Sequence, residues 1–205
     1  MIEKLKEIIG PRCSAIKMNG EVNEFINIPS KPMMFCEAVN YSFHIPIRLT
    51  ADNMCCPDNL GNAGLDTKHI CFNKKIMGNR NNPEQFNHDP LCIMPDLQGI
   101  RHINMGLTQA MEKDCKPDLY IAFIRPASIS DLVHKMTQKA IRLSVPSNGL
   151  LAVCSNVFTN YYIHQTVCIS FGCADSRKYN GVEKDEIVMS IPYLTAIQLI
   201  NDFTI

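Results

Sequence analysis

The sequence predicts a single compact α+β domain, a mixed β-sheet flanked by helices. Three observations carry this. Leu119 to Ile124, Val167 to Phe171 and Ile187 to Ile191 are short, apolar, β-like runs of the kind found in interior strands. Segments with the helical period of apolar residues surround them, at Ile2 to Ile9, Ser130 to Ile141 and Leu194 to Phe203. The 205 residues contain no internal repeat, low-complexity tract or linker, and suffice for one domain with its own core.

Taken in order, Ile2, Leu5, Ile8 and Ile9 mark a first helix, which Gly10-Pro11 stops. Ser14 to Met18 alternates as a strand, and Asn19-Gly20 predicts a hairpin turn into an extended piece at Phe25 to Ile28. Lys17 is either a solvated residue of the pleat or a ligand contact. Ser30-Lys31-Pro32 reads as a helix start, with Pro32 in the first turn and Cys36 within the helix. Ile45 to Thr50 is a strand. Ala51-Asp52 then turns the chain into Met54-Cys55-Cys56-Pro57, and Asp58 to Leu65 begins a short helix. Residues 66–95 lose all periodicity and are dense in Asn and Pro, which predicts an irregular loop or lid. His69, Cys71, His88 and Cys92 lie there, but their spacing is irregular and no C-x-x-C pair supports a zinc site.

Gly99 to Lys113 is read as a helix and Asp118 to Ile124 as a buried strand ended by Arg125-Pro126. Ser130 and Asp131 cap a helix through Ile141 with Leu132, Val133, Met136 and Ile141 inward. This strand–turn–helix unit has no Gly-rich phosphate loop, so a nucleotide site has no motif support. Leu150 to Val153 is apolar and ends at Cys154; Ser155 or Asn156 then caps a helix from Val157 to Gln165. In Thr166 to Phe171, Val167, Ile169 and Phe171 share one face and Cys168 points the other way. Gly172-Cys173 ends that strand, Asp175 to Gly181 is a turn, and Glu186 to Ile191 is a last strand stopped by Pro192.

Lys+Arg and Asp+Glu are each 20, for a formal net charge of +0, and there is no basic run, which argues against nucleic acid. No apolar run is long enough to span a membrane. The start, MIEKLKEIIG, lacks the apolar centre of a signal peptide, so a cytoplasmic protein is expected. Ten cysteines in a reducing compartment point away from disulfides and towards metal ligation or an anaerobic host. Any single one can equally be a small buried hydrophobe.

Four cysteines stand out. Cys36 lies in a helix, Cys56 before a proline turn, Cys154 before a helix and Cys173 after a strand. A thiolate ligand needs its sulfur off the packed face and near backbone N–H donors. Four thiolates suit an iron–sulfur cluster or a tetrahedral zinc. The alternative is that Cys36 and Cys154 are core residues. Cys55 and Cys56 are adjacent and diverge, and Cys13, Cys115 and Cys168 belong to the scaffold. Arg177 can offer a guanidinium fork to an anionic ligand, or pair with Glu183 or Glu186. Asp185-Glu186 can act as a base, although acidic residues opening a strand are usually solvated. His44, His102, His134 and His164 carry no nucleophile elbow or triad signature.

Several stretches together identify a resemblance: C-E-A-V at Cys36 to Val39, C-P at Cys56-Pro57 with Gly64-Leu65 following, and G-L-L-A-V-C ending at Cys154. G-C-A-D-S-R-K-Y at Gly172 to Tyr179 and D-E-I-V-M-S-I-P at Asp185 to Pro192 complete it. The chain resembles the uncharacterised ArCR proteins (domain of unknown function 169) of archaea and anaerobic bacteria. It departs at Asp58, where a small residue is usual, and in the Asn-rich stretch from Asn73 to Asn87. The resemblance implies no settled activity, but it singles out the same four cysteines and suits an anaerobic cytoplasm. The expectation is a cysteine-ligated, iron–sulfur protein with a redox or electron-transfer role and a redox partner protein. The alternative is a non-catalytic module binding a small molecule or partner, with structural zinc. A thiol-dependent enzyme is the third reading.

Overall fold

The computed structural model describes residues 1–22, 26–50, 52–55, 100–145, 153, 157–158, 165–172, 174–178 and 180–202. In chain order the elements are α1 (Ile2–Ile9), β1 (Cys13–Met18), β2 (Met33–Met34), α2 (Phe35–Tyr41), β3 (Ile47–Thr50), β4 (Met54–Cys55) and β5 (His102–Met105). There follow α3 (Gln109–Asp114), β6 (Leu119–Ile124), α4 (Pro126–Gln138), β7 (Leu143–Ser144), β8 (Val167–Ser170), α5 (Ala174–Lys178), β9 (Ile187–Pro192) and α6 (Tyr193–Asp202). Seven strands form one mixed sheet in the order β3-β5-β1-β6-β9-β8-β7; β2 and β4 form a separate two-stranded parallel pair. All neighbours in the large sheet are antiparallel except β7 and β8.

The three apolar runs predicted as central strands are β6, β9 and β8, side by side within the sheet. All six residues of β6 are buried, because both of its faces are covered. Tyr120, Ala122 and Ile124 point to a core shared with Leu5 of α1, Met111 of α3, Leu132 of α4 and Leu199 of α6. Leu119, Ile121 and Phe123 point the other way, to a core shared with Phe35, Ala38 and Val39 of α2. The period of two in the strand thus divides the molecule into a helix-rich face and a face covered by α2.

Several sequence expectations are corrected. Asn19-Gly20 does not open a hairpin: β1 pairs with β5 and β6, while Asn27 forms a single parallel bridge to Ile47. Asn19, at positive φ, accepts from the Arg101 N–H and donates its own N–H to the His102 carbonyl, which ties the end of β1 to β5. Residues 99–113 are not one helix. Buried Ile103 and Met105 serve strand β5, Gly106 breaks it at φ 75°, and Thr108 caps α3. α4 starts at Pro126, four residues before the expected cap, with proline in the first turn where its missing N–H costs nothing. Residues 33–34 pair as a strand, so α2 starts after Met34 and not at Pro32. The segment 174–178 is a helical turn. Phe171 lies beyond β8 and is 65% exposed rather than on the inward face. The expected loop at 66–95 and most of the expected helix at 157–165 lie outside the described residues.

Candidate functional site

Of the four cysteines chosen from the sequence, Cys36 is described; Cys56, Cys154 and Cys173 lie outside the described residues. Cys36 is half-buried in the first turn of α2, whose Phe35, Ala38 and Val39 are buried. Its side chain packs against the core of the α2 face, whereas the sequence reading expected it to stand off the packed face. Asn180, 2% exposed, donates its side-chain amide to Cys36 Sγ at 3.1 Å and lies 3.2 Å from Met34 Sδ. Met34 pairs with Cys55, the residue before Cys56. Val153, the residue before Cys154, is buried in the same core, as are Met54 and Val182.

The segment that brings Asn180 to Cys36 is held by three arginines, of which the exposed Arg125 pairs with Glu183 and Asp185 at its outer edge. Arg177 donates to the backbone carbonyls of Phe171, Glu183 and Glu186 and so ties the segment to itself. The pairing expected with Glu183 or Glu186 is made through their carbonyls, not their carboxylates, and the guanidinium fork faces backbone rather than an open cleft. Arg12, just before β1, ties the segment to α2. Its Nη1 meets the Glu186 carboxylate at 2.6 Å, and its Nη2 donates to Asn40 Oδ1 at 2.8 Å and to the Gly181 carbonyl at 2.5 Å. The guanidinium also lies 5.5 Å from the Phe43 ring centre and 5.1 Å from that of Phe123. Glu186, expected to be solvated, is 4% exposed; besides Arg12 it accepts the Glu183 N–H at 2.8 Å. It is a paired structural carboxylate.

Gly181 has a specific task here. Its φ is 77°, and a Cβ would come within 2.5 Å of Asn40 Nδ2, so only glycine lets the segment approach α2 so closely. Sequence reading missed Arg12, Asn40 and Asn180. The signal that was available is the Asn180-Gly181 pair, which marks a tight turn whose asparagine is free to face inward.

The cysteines assigned to the scaffold stay there: Cys13, Cys115 and Cys168 are all buried. Burial pushes the Cys13 and Cys168 thiols up, away from the thiolate form that a ligand or nucleophile requires. Lys17 pairs with Asp118 at 2.9 Å, which accounts for it without a ligand. Among the described residues no group of three or more His, Cys, Asp or Glu is close enough to hold a metal, and none of the helices is long and apolar enough to cross a membrane.

No curated protein and no solved structure matches the chain. A family model does, across residues 5–202, covering the sheet, α2, the Asn180 segment and all of α6. The chain belongs to the uncharacterised ArCR family, domain of unknown function 169.

Proposed function

We propose that this is a cysteine-ligated metal protein, holding an iron–sulfur cluster through Cys36, Cys56, Cys154 and Cys173. Its role is electron transfer to a redox partner protein in an anaerobic cytoplasm. One observation carries the reading: Cys36 packs on the core that contains Met54 and Val153, with the Asn180 amide donating to its sulfur. Met54 lies two residues before Cys56 and Val153 one before Cys154, while Asn180 follows Cys173 by seven residues, across α5. The described chain thus supports a common destination for all four cysteines. An amide donating to a ligand sulfur is a contact that stabilises thiolates and tunes clusters. A bound cluster would supply one-electron chemistry; the chain supplies the ligands, the Asn180 donor and an apolar floor.

Anaerobic purification with iron, zinc and sulfide analysis tests this. The expected result is a brown protein with broad visible absorption and matching iron and sulfide. Cys36→Ser should lower bound metal and destabilise the fold, because metal binding and folding are coupled, while Cys115→Ser should leave metal content unchanged. A colourless protein with stoichiometric zinc would move the reading to a binding module with a structural metal. A metal-free protein would sink both.

A further inference from the structure

Two contacts lie side by side at one corner of the molecule. On α2, Cys36 and Asn40 are four residues apart and therefore on one face of the helix. On the facing segment, Asn180 and Gly181 are consecutive. Asn180 meets Cys36, and Gly181 meets Asn40 through Arg12. Arg12 comes from a third place, just before β1, where its carbonyl accepts the Phe123 N–H of β6, and so carries the rigidity of the sheet to the corner. The segment does not need Arg12 for its own shape, because Arg177 holds Phe171, Glu183 and Glu186 together by their carbonyls. This piece meets α2 through the Asn180 amide and the buried Val182, and its polar tie to Asn40 is one guanidinium, stacked near two aromatic rings and paired with a buried carboxylate.

We infer that Arg12 is a positioning residue, a latch that keeps Asn180 on the Cys36 sulfur and whose release uncovers Cys36 without unfolding the sheet. This rests on the reading of Cys36 as a functional thiol. A lysine cannot replace the arginine fully, since one ammonium cannot present a planar fork to Glu186, Asn40 and Gly181 at once. Asn40 holds only one arm of the arrangement, so its loss should loosen the corner less.

The test measures modification of individual cysteines in the full chain as purified, using iodoacetamide at pH 7.5 and mass spectrometry of the peptides. Buried Cys13 and Cys168 serve as internal references. In Arg12→Met the Cys36 rate should rise at least about tenfold while Cys13 and Cys168 stay protected, as local opening requires. Arg12→Lys should fall between, and Asn40→Ala should raise Cys36 by a smaller factor. An unchanged Cys36 rate in folded Arg12→Met overturns the latch. So does a parallel rise at Cys13 and Cys168, which would make Arg12 a general stabiliser. Should Arg12→Met not fold, Asn40→Ala decides: a rise confined to Cys36 supports the latch, and no rise rejects it. Metal content is measured in parallel. A wild-type chain without iron or zinc refutes the metal reading, while the same rates still judge the latch.

Discussion

Tyr120 and Glu112 meet on the helix-rich face, where the hydroxyl donates to Glu112 Oε1 at 2.6 Å and Oε2 accepts the Ile2 N–H at 2.9 Å. Both side chains are buried, so the carboxylate depends on these donors and on the Met1 amino group, 3.0 Å from Oε2. Tyr120→Phe keeps the ring and removes one donor; it should cost about 1–3 kcal/mol, read from the urea midpoint. A loss well below that range would mean water reaches Glu112. Burial, and then the bond to Glu112, raises the tyrosine pKa, as burial raises those of Cys13 and Cys168. The sign follows directly. Each group keeps its proton when folded but loses it when unfolded, so the stability it lends is complete below the unfolded pKa. Stability should therefore decline once the pH passes about 8.5 for the thiols and about 10 for the tyrosine. Urea midpoints at pH 8 and pH 10.5 check this, and a midpoint that holds or rises contradicts it.

At the scale of elements, strand β5 and its end at Gly106 show where sequence and structure part. The three central strands were legible because both faces of each are buried, so apolar density alone marks them. α1 and α6 were legible from their period. Residues 99–113 were not, because β5 is short and carries a buried polar residue. Asn104 accepts from Arg48 at 2.7 Å and donates to the Gly20 carbonyl at 2.7 Å, and no local pattern announces such distant partners. The candidate site divides in the same way. Cys36 could be chosen from its place in a helix, but Arg12, Asn40 and Asn180 act across 28 to 174 residues of chain, and only the fold brings them together. Gly106 offers the test at this scale. Its φ is 75°, and a Cβ would lie 2.5 Å from the Ser42 carbonyl oxygen, which is backbone and cannot swing aside. Gly106→Ala should cost at least about 1–3 kcal/mol from the strained conformation, with more from the clash. A near-neutral change in the denaturation midpoint would show that β5 can shift to accept it.

For the molecule as a whole, the question is whether the two faces of the sheet open together. Cys13 on β1 faces the core of α1 and α4, whereas Cys168 on β8 sits opposite Ser190, whose hydroxyl donates to the Val157 carbonyl on the other face. Both thiols lie on strands of the same seven-stranded sheet, joined to each other through β6 and β9. Cys13 lies under α1 and Cys168 beside the edge strand β7, and in a single cooperative sheet neither opens alone. Their modification in native buffer should therefore wait for global unfolding and proceed with one common protection factor when reclosing is fast. Leu132 is fully buried on the helix-rich face only. Leu132→Ala should lower stability by about 2–5 kcal/mol, which in a single cooperative unit accelerates Cys13 and Cys168 by the same factor, at least about tenfold. Cys36 at the Arg12 corner should respond less, because local opening already gives it a cheaper route. If Leu132→Ala speeds Cys13 and leaves Cys168 protected, the helix-rich layer opens by itself and the sheet is not one cooperative unit.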